Sequence, residues 1–163
     1  MTENLRNALT ILKENSSKLV LTDGNTVYSS DVRGVYSLLN LIEDGELNLP
    51  DFSAADRVVG RGAALLYAKM NIKEVYALVL SEKAKEIFDL YGIPFYYDTL
   101  APYIINRSGD GMCPVEKATE NISDREEAYS VIKETVGYVH SKGKEATVPI
   151  IKSKAVYNRK EKI

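Results

Sequence analysis

A single cysteine, Cys113, and a single histidine, His140, stand in a chain of 163 residues. One cysteine excludes an internal disulfide, and the two together leave almost nothing for a zinc site built from nitrogen and sulfur ligands. No metal and no cofactor are expected. No stretch approaches the roughly 20 consecutive apolar residues of a membrane span. Met1-Thr2-Glu3-Asn4 has none of the features of a signal peptide. The expected location is therefore the cytoplasm, with no membrane partner. A net charge of -2 gives no bulk electrostatic reason to expect nucleic acid as a partner. Neither an internal repeat nor a low-complexity segment interrupts the chain.

What the chain does contain is an ordinary globular composition, 45% hydrophobic and 27% charged, over a length that suits one domain with its own core. The charge is uneven. From Ser141 onward seven lysines and arginines face only Glu145 and Glu161. This basic end, with Tyr157 among its cations, reads as a solvated, frayed tail; a contact with RNA or acidic lipid is the alternative.

Periodicity supplies the elements. Leu5, Ala8, Leu9 and Leu12 mark an amphipathic helix over residues 3–14, and Lys18–Thr22 and Thr26–Ser29 flank Asp23-Gly24-Asn25 as an antiparallel hairpin. A short helix with Val35, Leu38, Leu39 and Ile42 inward is expected over Gly34–Glu43. A longer one is expected over Ala54–Met70, capped by Ser53 or Asp51. Gly60 and Gly62 inside that helix imply a close neighbour, either protein or ligand. The mostly apolar run Glu74–Leu80 reads as a strand buried on both faces. Ser81 caps the next helix, with Ala84, Ile87, Phe88 and Leu90 inward and Gly92 closing it, and Pro94–Thr99 reads as a parallel strand. Ser123-Asp124-Arg125-Glu126 has the form of a capping box opening a helix over about 124–140, and Thr147–Ile151 could form a short strand.

The segment Asn106-Arg107-Ser108-Gly109-Asp110-Gly111-Met112-Cys113-Pro114-Val115-Glu116 most resembles a site. Two glycines bracket an acid and a proline stiffens the exit, which suits a polar loop of committed geometry able to aim Asp110 and Cys113 at one point. That block, with Ala55-Asp56-Arg57-Val58-Val59-Gly60-Arg61-Gly62-Ala63-Ala64 and Leu80-Ser81-Glu82-Lys83-Ala84, resembles an uncharacterised bacterial domain family. Its members resemble cytidine deaminases in fold. The resemblance spans about residues 5–118 and implies a three-layer α/β fold with a mixed sheet and helices on both faces. It divides the chain into a deaminase-like domain over 1–120 and a C-terminal helix with a basic extension over 121–163. Zinc deaminases carry His/Cys-x-Glu and Pro-Cys-x-x-Cys at two helix starts. The matching positions here, Gly60–Gly62 and Ser81–Ala84, lack those ligands. The fold is therefore expected without the zinc chemistry.

Candidate catalytic residues are Asp110, as a general base or a partner for ligand hydroxyls, and Cys113, as a nucleophile. A turn acid and a small buried thiol are the plain alternatives. Arg57 and Arg61, four apart on the expected helix, would share a face and hold a phosphate. Ser81 and Glu82 mark a helix start that could accept an anion. Asn106, Arg107 and Glu116 complete the ligand-binding set. The leading expectation is a domain binding a nucleotide or sugar phosphate. A Cys113-dependent transferase or redox sensor and a non-catalytic interaction module are the alternatives, with a homo-oligomer left open.

Overall fold

The computed structural model describes residues 1–32, 34–45 and 48–139, and the backbone of one strand at 151–154. In chain order the elements are α1 (Glu3–Glu14), β1 (Leu19–Thr22), β2 (Thr26–Ser30), α2 (Tyr36–Glu43), β3 (Ser53–Val59), α3 (Arg61–Lys69), β4 (Glu74–Ser81), α4 (Glu82–Tyr91), β5 (Phe95–Ala101), α5 (Pro114–Ala118), α6 (Arg125–Val136) and β6 (Ile151–Lys154).

The sheet is mixed and open. Its order is β5-β4-β3-β1-β2, with β6 along the far side of β2. Strand β1 pairs antiparallel with both β2 and β3, while β3, β4 and β5 run parallel. The hairpin between β1 and β2 is fixed by Asp23, whose Oδ1 accepts from the N–H groups of Asn25 at 2.8 Å and Thr26 at 2.7 Å, with Gly24 at φ 96°. A side-chain oxygen that holds two turn amides, next to a residue free to adopt positive φ, is why this tripeptide reverses the chain.

Helix α1 covers one face, where Ala8 and Leu12 pack on Val20 of β1 and Ala55 of β3. On the other face α3 is buried along nearly its whole length, between the sheet and helices α2, α4 and α6. Leu19, Leu21, Ala54, Val75 and Ala77 supply the sheet side of that core, and Leu65, Leu66, Phe88, Ala128 and Ile132 the helical side. Each such leucine or phenylalanine contributes about 1.5–3 kcal/mol relative to exposure. Helix α6 is part of this core.

One expectation is overturned. Ala54–Met70 is not one helix: Ser53–Val59 is the central strand, and the helix begins at Arg61. A strand with neighbours on both edges and helices on both faces loses the alternation that betrays a half-buried strand. Gly60, extended at φ -97° and ψ -178°, is the N-cap where one element gives way to the next. Leu90 lies on the exposed side of α4 rather than inward. Helix α6 is capped by Asp124, whose side chain accepts from Glu126 N–H, and stops at Val136 because Gly137 takes a left-handed conformation at φ 62°. Val139 therefore falls beyond it and is exposed. His140, Thr147–Ile150 and the basic end beyond Lys154 lie outside the described residues.

Candidate functional site

The carboxyl ends of β3, β4 and β5 meet the starts of α3 and α4 and the chain that follows β5, the usual place for a ligand in an open α/β sheet. Here that place is organised by Glu116. Its buried carboxylate accepts from Arg61 N–H at 2.6 Å through Oε1 and from Ile104 N–H at 2.7 Å through Oε2. It thus supplies, from within the chain, the negative charge that a helix N-terminus attracts. Two glycines make the approach possible. A Cβ on Gly60 would lie 3.0 Å from both Glu116 Oε1 and Ile104, and one on Gly62 would collide with Val115. The close neighbour implied by these glycines is the protein itself.

Glu116 also anchors a hairpin. Cys113 N–H donates to Ile104 O at 2.8 Å and Asn106 N–H to Gly111 O at 2.8 Å, with a bridge between Ile105 and Met112. At the tip, Asn106 Oδ1 accepts from Gly109 N–H at 2.8 Å and Asp110 N–H at 3.2 Å, while Asn106 Nδ2 donates to Asp110 Oδ1 at 2.9 Å. Gly109 supplies the positive φ of 78° that the turn needs. Arg107 and Asp110 stand exposed, and Cys113 is half-buried.

Arg57 and Arg61 do not share a helix face, because one lies on a strand and the other opens a helix. Arg57 reaches under α1 and donates to the carbonyls of Ser17 and Leu12, each at 2.7 Å, and of Asn15 at 3.1 Å. It thereby satisfies carbonyls at the end of that helix. Arg61 is buried. Its Nε donates to Ile122 O at 3.0 Å, one terminal nitrogen to Lys83 O at 3.1 Å and Glu86 Oε1 at 2.8 Å, and the other to Ser123 Oγ at 3.2 Å. Both guanidinium groups therefore join elements of the fold. Ser81 is fully buried with its Oγ accepting from Ala84 N–H at 3.0 Å, while Glu82 is exposed in the first turn of α4.

A further pair, Asp56 and Tyr67, escapes a reading based on helical periodicity. Asp56 faces α3 from the middle of β3, half-buried, and Tyr67 Oη donates to its Oδ2 at 2.7 Å. Burial pushes the carboxyl up to about 7, against the pull of that hydrogen bond and of the Val58 and Arg57 amides. Burial and the adjacent Asp56 charge hold the Tyr67 phenol well above its ordinary range. A carboxyl poised to take up a proton near neutrality is a feature of functional sites and also of strained interiors. The signal available in the sequence was an acid set among small and β-branched residues, legible only once that stretch is recognised as a strand.

Among the described residues no three histidine, cysteine, aspartate or glutamate side chains lie close enough to hold a metal ion, and no helix is long and apolar enough to cross a membrane.

These features define a mixed α/β domain with a carboxylate-anchored hairpin at the ends of its parallel strands. Residues 7–136 match the family described as TM1506, domain of unknown function (DUF1893). The chain belongs to that family. It is similar to the crystal structure of a DUF1893 family protein, TM1506, from Thermotoga maritima, with 29% identity and a TM-score of 0.76 over 82% of this chain and 91% of that one. No curated protein matches the sequence.

Proposed function

We propose that the domain binds a phosphorylated small ligand, of nucleotide or ribose-phosphate type, on the hairpin over residues 104–113. The observation that carries this reading is the pairing of a rigid base with a polar tip. Glu116 holds the hairpin through the Ile104 amide, and Arg107 is exposed with no ion-pair partner among the described residues. A guanidinium presents a planar fork to phosphate oxygens, and a preorganised loop loses less entropy when it binds. Arg107 would take the anion, Asp110 and Asn106 the ligand hydroxyls, and Tyr103, 40% exposed just before the hairpin, a ring face. Arg57 and Arg61 have no part in it, since their guanidinium groups are engaged with carbonyls of the fold, those of Leu12, Asn15 and Ser17 for Arg57 and those of Lys83 and Ile122 for Arg61.

On this reading the scaffold is of cytidine-deaminase type. Gly60-Arg61-Gly62 and Ser81-Glu82-Lys83-Ala84 stand where that family carries its zinc ligands. The side chains found there, the guanidinium of Arg61, the hydroxyl of Ser81, the exposed carboxylate of Glu82 and the ammonium of Lys83, include neither imidazole nor thiolate and are unsuited to zinc.

The test is thermal stability against nucleoside mono- and diphosphates, the parent nucleosides and ribose 5-phosphate. Ligand at a hundred times its dissociation constant stabilises by about 2.7 kcal/mol. The expected result is stabilisation by phosphorylated compounds only, lost in Arg107→Ala. No response to any of them, or an equal response in Arg107→Ala, overturns the reading.

A further inference from the structure

At one end of the sheet β6 lies along the outer side of β2, while at the other β5 has β4 on one side and no strand on the other among the described residues. Val75 N–H donates to Pro94 O, and Val75 lies opposite Phe95 in the parallel register. Peptide groups alternate along a strand, so Tyr96 and Asp98 direct theirs at β4, and Phe95, Tyr97 and Thr99 direct theirs outward. Three consecutive outward N–H and C=O pairs form a template for another strand. The side chains along it are not those of a purely solvated edge. Tyr97 is 40% exposed and lies 6.4 Å from the Phe95 ring, which in turn stacks on Phe88. On the opposite face Tyr76 stacks on Tyr96 and donates its hydroxyl to the exposed Asp98.

We propose that the protein self-associates through β5, with the strands of two copies pairing antiparallel about a twofold axis through Tyr97. The register follows from symmetry, from charge and from the extent of the free edge, since only an axis at Tyr97, the middle of the three outward peptide groups, pairs all three of them. A twofold axis normal to the sheet keeps each side chain on its own face and must pass through a residue position. Centred on Asp98, it would set two carboxylates directly opposite each other, which is unfavourable. Centred on Tyr97, it sets Tyr97 opposite Tyr97, Phe95 opposite Thr99, and Tyr96 opposite Asp98 of the second copy. Tyr97 and the Phe95–Thr99 pairs then exchange backbone hydrogen bonds. Each Tyr96 falls in a close, non-hydrogen-bonded pair with a carboxylate, and its hydroxyl can repeat on Asp98 of the second copy what Tyr76 does within the chain. The contact is self-complementary, as a twofold interface must be.

Sedimentation across a wide concentration range tests the association, and cysteine cross-linking tests the register. The parent is expected to dimerise. Tyr97→Lys, which places like charges on the axis, is expected to weaken association about tenfold or more. Thr99→Pro removes an outward N–H while leaving the ladder to β4 intact, and is expected to yield a folded monomer. In a Cys113→Ser background, Tyr97→Cys should form a disulfide-linked dimer under mild oxidation, because opposed residues of a hydrogen-bonded pair have Cα atoms about 5.5 Å apart. Asp98→Cys should cross-link less. A parent that stays monomeric throughout, a dimer indifferent to Thr99→Pro, or preferential cross-linking through Asp98→Cys overturns the proposal. Phosphate binding on the hairpin is read through Arg107 alone, so either proposal can fail without the other.

Discussion

Tyr67 Oη lies 2.7 Å from Asp56 Oδ2 across the contact between α3 and the central strand. This bond joins a helix buried along nearly its whole length to a carboxyl that burial lifts to about 7. Because the folded state holds this proton more tightly than the unfolded chain, whose ordinary carboxyl value is 3.8, stability contributed here is complete below about pH 4. It is lost as pH rises through about 7. A shift of about three units corresponds to at most about 4 kcal/mol, and partial solvation reduces this to about 2. Chemical denaturation of the parent and of Asp56→Asn at pH 5 and pH 8 isolates the effect, since all other titrations cancel in the difference. The parent should lose about 1 kcal/mol relative to Asp56→Asn between those values, since about two thirds of the span from 3.8 to about 7 lies above pH 5. A constant difference sinks the assignment. Tyr67→Phe removes a bond that lowers the carboxyl value and should move the loss to higher pH.

The Glu116 carboxylate ties the start of α3 to the base of the hairpin. Replacing it with alanine leaves two amides without their acceptor, at about 1–3 kcal/mol each. We expect Glu116→Ala to destabilise by about 3 kcal/mol, and Glu116→Gln, which keeps one acceptor oxygen, by about half that. Hydrogen exchange should quicken first at Arg61 and Ile104. A loss below about 1 kcal/mol in Glu116→Ala, or unchanged exchange at those two amides, would show that other groups organise the hairpin.

Arg57 serves α1 rather than a ligand. Its three hydrogen bonds end on the carbonyls of Leu12, Asn15 and Ser17, so Arg57→Ala should destabilise the protein in phosphate-free buffer by about 2 kcal/mol. Added phosphate should stabilise parent and variant equally. A variant as stable as the parent without phosphate, but deaf to it, would return Arg57 to the role of anion ligand.

The elements visible in the sequence were those whose local chemistry agrees with their place in the fold. Asp23-Gly24-Asn25 turns because its own side chain holds its amides, and Ser81 and Gly92 mark the two ends of α4 by a hydroxyl cap and a left-handed residue. The central strand was not visible, because Ala54, Ala55 and Val59 are buried whatever face they present, and apolar residues on both faces mimic helical spacing across a break at Gly60. A helix drawn across that boundary puts Arg57 and Arg61 on one face and makes Asp56 an ordinary surface acid; the break at Gly60 removes both relations. The hairpin after Asn106 was legible as a turn from its glycines. What Glu116 does there depends on Arg61, 55 positions away, and no local pattern carries that relation.

Gly60 and Gly62 mark a close approach of two parts of the chain, and filling the space identifies the neighbour. Alanine ordinarily gains about 1 kcal/mol over glycine inside a helix. At position 62 its Cβ meets Val115 on α5, and overpacking of this kind costs about 1–3 kcal/mol. Gly62→Ala should therefore be net destabilising by about 1 kcal/mol in the parent, yet neutral or stabilising in a Val115→Ala background. The coupling energy from the double-mutant cycle should be about 1–3 kcal/mol. If a bound ligand rather than Val115 occupied that space, Gly62→Ala would stabilise the free protein by up to about 1 kcal/mol, the cycle would close near zero, and only ligand-induced stabilisation would fall.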